Sequence, residues 1–209
     1  MTEVQFFEKV HQKYKDSNHL LEGDGGYRIK RGMAHVMSGY LEDLFALYIA
    51  QKVNRKDVEY FVDKVISIRF SENEKAKSFK PDLAIVDNGV MTHYFDLKSN
   101  LGWNRNAENY MLDKNRFIEK LKGQNAWIRD KHDKSVLNIK ISHALQYNMV
   151  VVFGGNINPT QMDINFKASN ELENVQLHVL HRKRKDEAHE AIDIAAFEAI
   201  EQSLEILTA

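Results

Sequence analysis

A predicted β-hairpin within residues 81–98 is the feature that most constrains the fold of this chain. Two runs of β-branched, aromatic and other apolar residues, 83–86 and 90–95, flank the tripeptide Asp87-Asn88-Gly89. Asparagine followed by glycine tolerates the positive φ angles of tight hairpin turns, so this arrangement is a strong hairpin signal. The apolar character of both strands favours a hairpin inside a sheet over a solvated surface hairpin.

Charged side chains lie at the open end of this hairpin. Asp82 precedes the first strand, and Asp96 and Lys98 come at the end of the second. Because strand side chains alternate between faces, Asp96 and Lys98 share one face and Leu97 points into the opposite layer. Carboxylate oxygens are the ligands that hard cations such as Mg²⁺ require. The sequence therefore indicates a cation site at the open end of the hairpin.

The relation between the two aspartates depends on the length of the turn. A two-residue loop pairs Asp82 with Phe95, which puts Asp82 and Asp96 on opposite faces of the sheet. A three-residue loop pairs Asp82 with Tyr94, and the two aspartates then share a face. For a common site we expect either a type I turn with Gly89 left-handed as a bulge, or Asp82 just outside the ladder.

Pro81-Asp82 followed by Asp96-Leu97-Lys98 resembles the motif of the PD-(D/E)xK, or restriction-endonuclease-like, nuclease superfamily. The two acids are 14 positions apart (96 − 82), a spacing within the range of that superfamily. The resemblance implies an α/β fold with an αβββαβ core over about 31–155. In that core, helices flank a central mixed β-sheet, and further helices are expected at both termini of a single domain, 1–209.

The resemblance also implies an activity, that of a Mg²⁺-dependent DNA endonuclease in which Mn²⁺ can substitute. Asp82, Asp96 and the Leu97 carbonyl would hold the metal, with Glu42 bound directly or through water. Lys98 would orient the attacking water, and Asp82, Asp96, Lys98 and Glu42 would form the catalytic set. The most similar members are type II restriction endonucleases, which implies a homodimer acting on double-stranded DNA.

The motif extends beyond Lys98 into a polar segment. Stretches of the form Lys-x-Asn-x-Gly-Trp-x-Arg resemble sequences of type II restriction enzymes. Amides, an indole and a guanidinium can hydrogen-bond to phosphates and base edges or stack on bases. Core packing of the indole and capping by the amides are the alternatives. The DNA-contacting candidates in this segment are Asn100, Trp103, Asn104 and Arg105.

A long amphipathic helix over about 31–53 precedes the hairpin. One polar stripe of this helix is formed by Arg31, His35, Ser38 and Glu42. The stripe becomes apolar further along, which fits either a helix whose first half borders a cleft or a solvated outer face. Members of the superfamily often carry an acid on this helix, and Asp43 points about 100° away from the stripe. We therefore expect Glu42 to assist the metal and the three polar residues before it to contact DNA.

The remaining elements follow from hydrophobic periodicity. Helices are predicted at 1–20, at about 107–122, where Tyr110 is a packing residue, and near the carboxyl terminus. Strands are predicted at 65–70, as the first strand of the sheet, and at 147–154 and 175–180. Residues 123–147 give a weak strand signal around Val136 and Ile139, and 158–173 reads as a polar connection.

One dense basic run follows the last predicted strand, and either a DNA backbone contact or a solvated turn accounts for it. Its DNA-contacting candidates are Arg182, Lys183 and Arg184. The chain has a net charge of −1, so a nucleic-acid site would depend on local patches of this kind.

Composition excludes several classes of protein. The chain of 209 residues has no cysteine, which removes disulfides, thiolate metal sites and cysteine nucleophiles. No apolar run is long enough to span a bilayer and no signal peptide is recognisable, so we expect a cytoplasmic protein without a membrane partner.

Two alternatives to a restriction-type enzyme remain open at this point. One is a repair, recombination or phage nuclease that recognises DNA structure. The other is a DNA- or protein-binding module that keeps the fold without turnover.

Overall fold

A mixed β-sheet with helices on both faces forms the centre of the fold. The computed structural model describes residues 1–22, 37–101, 106–130, 133–183 and 189–208, with the backbone alone for 17–22. The described helices are α1 (Glu3–Glu22), α2 (Ser38–Val53), α3 (Glu108–Leu121), α4 (Pro159–Asn170) and α5 (Ile194–Ser203), followed by a 3-10 helix (Glu205–Leu207). The described strands are β1 (Glu59–Val62), β2 (Ile66–Ile68), β3 (Lys77–Phe79), β4 (Leu83–Asp87), β5 (Val90–Lys98), β6 (Asn125–Arg129), β7 (Val136–Phe153), β8 (Val175–Arg182) and β9 (Ala191–Ile192).

The long strand β7 joins two halves of the sheet. Its second part lies parallel to β5 on one side and parallel to β8 on the other. Beyond β5 follow β4 and the edge strand β1, both antiparallel to their neighbours, and β9 pairs with β8. The first part of β7 pairs antiparallel with β6, which continues into β2 and β3. The β4–β5 hairpin therefore lies inside the sheet, as its apolar strands predict.

The hairpin combines a two-residue turn with a bulge in the second strand. Asn88 and Gly89 have φ angles of 49° and 75°, and Asp87 pairs with Val90, as in a type I′ turn. The register then shifts by one residue at Thr92, so that Leu83 pairs with Phe95. The expected three-residue turn with a bulge at Gly89 is wrong. The bulge is displaced along β5, where the Thr92 hydroxyl donates a hydrogen bond to the Ile85 carbonyl at 3.3 Å.

The two faces of the sheet have separate apolar cores. Helices α3 and α4 cover one face, through residues such as Met111, Ile118 and Met162. Helices α1, α2 and α5 cover the other face, where Phe6, Phe45 and Phe197 belong to a cluster of aromatic side chains. Because burial of apolar area is the main stabilising contribution to folding, these two layers fix the positions of the helices around the hairpin.

Several predicted elements differ from the structure. The strand expected at 65–70 is reduced to β2 and lies in the far half of the sheet, while β1 is the strand that borders the hairpin. Strand β1 has four residues at the edge of the sheet, and their burial does not alternate. Hydrophobic periodicity therefore did not predict it. The polar connection at 158–173 contains α4, capped by the Asn158 side chain. No helix in the described ranges is long and apolar enough to cross a bilayer.

Candidate active site

Asp82 and Asp96 face each other at the open end of the hairpin. The bulge makes Leu83 pair with Phe95, and the next position along both strands brings Asp82 opposite Asp96 on the same face. Asp82 lies just outside the ladder, as expected for a shared site, and its backbone carbonyl accepts a hydrogen bond from the Asp63 N–H. Its Oδ2 accepts a hydrogen bond from the Leu97 N–H at 2.6 Å. The hairpin backbone therefore holds one carboxylate beside the other.

A lysine and two tyrosines bind the buried carboxylate of Asp96. Its Oδ2 accepts hydrogen bonds from the Tyr147 hydroxyl at 2.7 Å, the Tyr110 hydroxyl at 3.1 Å and the Lys114 ammonium at 3.1 Å. The Lys114 Nζ also lies 4.8 to 5.4 Å from the ring centroids of Tyr147, Tyr94 and Tyr110. The hydrogen bonds from these described residues all end on Oδ2, which leaves Oδ1 available to a ligand.

Opposite pKa shifts separate the two aspartates. Burial raises the pKa of Asp82. The hydrogen bond from the Leu97 N–H and the charge of Lys98 offset part of this rise, while the charges of Asp96 and Asp63 add to it. Burial also acts to raise the pKa of Asp96, but the charge of Lys114 and the hydrogen bond from Tyr147 bring that pKa below its usual value. Burial, followed by the charge of Asp96 and the hydrogen bond to it, raises the pKa of Tyr110 to about 12. Asp82 is thus the carboxylate whose burial is not fully compensated, with the negative charges of Asp96 and Asp63 nearby.

Glu42 contributes to those negative surroundings. The side chain is half-buried, and its pKa is raised by burial and then by the charges of Asp82 and Asp63. Asp43, the other acid on α2, is exposed. The structure thus brings Glu42 within electrostatic reach of Asp82, from the helix that the sequence indicated.

Lys98 reaches the same group of side chains from the end of β5. Its Nζ lies 4.0 Å from the Asp82 Oδ2. A cation at this distance partly offsets the charge of the Asp82 carboxylate, and the ammonium keeps access to solvent because the Lys98 side chain is only half-buried.

The donor set fits a hard divalent cation in part. Asp82, the free Oδ1 of Asp96 and the Leu97 carbonyl supply oxygen atoms of the preferred kind. Within the described ranges, no three His, Asp or Glu side chains are arranged to hold a metal ion together. Glu42, Asp82 and Asp96 therefore do not form a complete set of direct protein ligands.

The carboxyl ends of β5, β7 and β8 meet at the edge that carries Asp96. The Phe153 N–H donates to the Ser99 carbonyl at 2.9 Å, and the Gly154 N–H donates to the His181 carbonyl at 2.8 Å. Ser99 and His181 therefore lie at the same edge of the sheet, on either side of β7, although 82 positions separate them in the sequence (181 − 99).

The predicted DNA-contacting residues differ in their surroundings. Ser38, Asn100 and Lys183 are exposed. Arg182 donates a short hydrogen bond from Nε to the Asp193 carboxylate, and its guanidinium lies 4.6 Å from the centroid of the Phe166 ring. These contacts give Arg182 a structural role whether or not DNA binds. Six further candidates lie outside the described residues: Arg31, His35, Trp103, Asn104, Arg105 and Arg184.

The sequence analysis missed the residues that surround Asp96. Tyr110 and Lys114 are four positions apart on α3, a spacing that puts both on one side of the helix. That spacing was available from the sequence, but it did not indicate which strand the pair would face. Tyr147 joins them from β7, and only strand pairing reveals its position.

Comparison of the chain with protein-family models, with curated proteins and with solved structures finds no match.

Proposed function

We propose that this protein is a Mg²⁺-dependent DNA endonuclease of the PD-(D/E)xK type, related in function to type II restriction endonucleases. The observation that carries the proposal is the facing pair Asp82 and Asp96 at the open end of a buried hairpin, with the Lys98 Nζ 4.0 Å from the Asp82 carboxylate. Two carboxylates and an ammonium converging on one face are the groups that metal-assisted phosphodiester hydrolysis requires.

The order of the elements supports the same proposal. Helix α2 is followed by β1, the β4–β5 hairpin, α3 and the part of β7 that lies parallel to β5, apart from the β2, β3 and β6 insertions. With those insertions set aside, this order agrees with the αβββαβ core that the resemblance implies. The candidate acids have the corresponding positions, with Glu42 on the helix and Asp82 and Asp96 on the hairpin.

The chemistry follows from the surroundings of each group. A divalent cation here supplies positive charge to a phosphoryl oxygen and acidifies a water molecule. Asp82, Asp96 and the Leu97 carbonyl would bind it, and Glu42 would act through water. Lys98 would hold the attacking water or the proton that it loses, since its ammonium faces Asp82 and remains half-exposed. Lys114 would act as a positioning residue, because it holds Asp96 rather than substrate.

The substrate would approach the edge formed by the carboxyl ends of β5, β7 and β8. Asn100 and Lys183 are exposed there and can contact phosphates. Double-stranded DNA and a homodimer follow from the restriction-type activity, in which two copies of a site cut two strands.

One observation favours a second candidate, a nucleic-acid-binding module without turnover. Three donors already occupy the Oδ2 of Asp96, so this carboxylate is neutralised without a metal ion. A protein that uses the fold for binding alone would need no metal ion beside this ion pair. An enzyme would need the Oδ1 atom of Asp96 to bind the metal ion.

Incubation of the purified protein with plasmid and phage DNA, in Mg²⁺ or in EDTA, tests the proposal. Discrete Mg²⁺-dependent fragments that disappear in Lys98→Ala and Asp82→Asn, but not in the exposed-lysine control Lys167→Ala on α4, support a site-specific endonuclease. Nicking or smearing with the same dependence points to a structure-selective nuclease. DNA binding without cleavage supports the second candidate, and cleavage that survives both substitutions refutes the assigned site.

A further inference from the structure

The half of the sheet beyond the hairpin turn has one face packed and one face open. Strands β2, β3, β6 and the first part of β7 point Ile66, Ile128 and Ile139 into the core beneath α3. The alternate residues of the same strands point to the opposite side, where Ser67 and Trp127 are half-buried and Asn138 is exposed. We refer to this outer side of the four strands as the open face.

A tryptophan lies near the centre of the open face. Trp127 of β6 is half-buried, and its strand partners are Ser67 of β2 and Asn138 of β7. Two positions away along β6, on the same face, are Asn125 and Arg129. A hollow of about 600 Å³ borders Trp127 and is lined in part by the two asparagines. An indole surrounded by amides and a hydroxyl can stack on a flat group and hydrogen-bond to its edge.

The open face is also positively charged. Arg69, Arg129 and Lys140 are exposed, and among the described residues none of them forms an ion pair. Arg69 and Lys140 line the hollow beside Trp127. Asp130, which follows β6, is paired with Lys64 at 3.5 Å. The net charge of the protein is −1, so the positive charge of these three side chains is a property of this surface and not of the whole protein.

We propose that the open face binds a single-stranded segment of nucleic acid, with one base stacked on Trp127 and phosphates contacting Arg69, Arg129 and Lys140. Stacking on an aromatic side chain beside cationic groups is how proteins hold single strands without reading their sequence. The proposal does not rest on catalysis. Lys140 on the open face pairs with Val90, and Asp96 lies six positions further along β5 (96 − 90), so the two sites are roughly 20 Å apart.

Charge complementarity selects this occupant over a second copy of the chain. A two-fold contact through the open face would bring the same three cations against one another, which is unfavourable. Duplex DNA keeps its bases stacked inside the helix and offers no free face to Trp127. A strand with accessible bases satisfies both the indole and the cations.

Tryptophan fluorescence provides a direct test. The chain has two tryptophans, so the Trp103→Phe variant reports on Trp127 alone. Titration with an oligothymidylate of about 12 nucleotides, a length within the usual site sizes, is carried out in EDTA to prevent cleavage. We expect saturable quenching with the single strand and much weaker quenching with a duplex of the same length. Binding without a change in Trp127 emission, or equal affinity for the duplex, would overturn the proposal.

Substitutions separate stacking from charge. Trp127→Leu should weaken binding by about 5- to 160-fold, the range for loss of one stacked base. In a triple variant, Arg69→Gln, Arg129→Gln and Lys140→Gln should lower the slope of log affinity against log salt by about 2, since each phosphate contact on a single strand contributes about 0.7. The triple variant keeps the result interpretable if Trp127→Leu folds poorly, because all three side chains are exposed.

A matched control removes the same charge elsewhere. Lys9, Lys56 and Lys167 are exposed on other parts of the chain, and their simultaneous substitution by Gln also lowers the net charge by three. We expect the control to change the salt slope by much less than the open-face variant. Equal effects of the two triple variants would show non-specific attraction by total charge and would overturn the assigned surface.

Discussion

The ion pair between Lys114 and Asp96 makes the strongest prediction about stability. We consider Lys114→Met, which keeps an unbranched side chain but removes the charge, together with Asp96→Asn and the double variant. In Lys114→Met, the tyrosine hydroxyls still donate to Asp96, but the buried carboxylate loses its counter-charge. The double variant removes both charges, so it should recover much of the stability lost in Lys114→Met.

The magnitude follows from distance and burial. Two unit charges 3.1 Å apart attract by about 5 kcal/mol at an effective dielectric constant of about 20, before desolvation is subtracted. Truncating one partner of a fully buried pair costs about 3 to 5 kcal/mol. Lys114 keeps 21% of its side chain exposed, against 7% for Asp96, so water partly compensates. We expect Lys114→Met to lose about 2 to 3 kcal/mol, which lowers Tm by about 4 to 12 °C in a chain of this size.

The loss should depend on pH. The pKa of Asp96 is lowered in the folded protein, so its contribution to stability is present above the unfolded value of about 3.9 and disappears as the pH falls through the folded value. In Lys114→Met, only the Tyr147 hydrogen bond and the charge of Lys98 still offset burial, so the pKa of Asp96 should rise and the carboxyl group should take up a proton in mildly acidic solution. The difference between wild type and variant should therefore be largest near neutral pH and small near pH 4.

Urea unfolding in EDTA at neutral and acidic pH measures these differences, and the double-mutant cycle gives the coupling energy. The exposed pair Arg116 and Asp113 on the same helix is the control, with 66% and 79% of the side chains exposed and a separation of 3.5 Å. Its coupling should stay below about 0.5 kcal/mol. A coupling between Lys114 and Asp96 no larger than that of the control, or a loss that does not shrink in acid, would refute the reasoning.

Further predictions concern the hairpin, the cation and a buried histidine. Asp82→Asn should raise the stability of the metal-free protein near pH 7, because a raised pKa in the folded state means that ionisation of Asp82 opposes folding. Mg²⁺ at ten times its Kd should raise the stability of the wild type by about 1.4 kcal/mol in thermal melts and have little effect on the variant. Gly89→Ala should cost about 1 to 2 kcal/mol because φ is 75° there, whereas the helical control Gly39→Ala should gain about 0.5 kcal/mol; equal effects in urea titrations would contradict this. Burial lowers the pKa of His178 to about 4, so the unfolded chain takes up the proton at a higher pH than the folded protein. As the pH falls from about 6.5 to 4, the free energy of unfolding should therefore decrease by up to about 1.4 kcal/mol per pH unit, and His178→Gln should flatten that dependence.

Local sequence signals located the hairpin but not its register. Asn88 and Gly89 define the turn through their tolerance of positive φ, which is a property of two adjacent residues. The bulge at Thr92 has no comparable signal, because it depends on the Ile85 carbonyl across the strand and on His93, whose ring bonds to the Ser203 carbonyl at 2.8 Å. The prediction that Asp82 and Asp96 share a face was therefore conditional on a feature that the sequence did not locate.

Surroundings made by distant segments were equally hidden from the sequence. The basic run after β8 predicted Arg182 as a DNA contact, but the residue that binds its guanidinium, Asp193, lies beyond a segment of unclear pattern. Trp127 fell in a stretch without clear periodicity, and only the pairing of β6 with β2 and β7 puts it on the open face.

The sequence by itself determined the position of the turn, the approximate spans of α1 and α3, and the presence of two carboxylates and a lysine at one end of a buried hairpin. These properties depend on residues a few positions apart, whose preferences act before the chain is compact. The tertiary structure decided that Asp82 faces Asp96, that Lys114 and Tyr147 bind Asp96, and that one half of the sheet leaves a face open. Those outcomes depend on strand register and layer packing, where side chains 14 to 51 positions apart meet, and no local preference encodes such contacts.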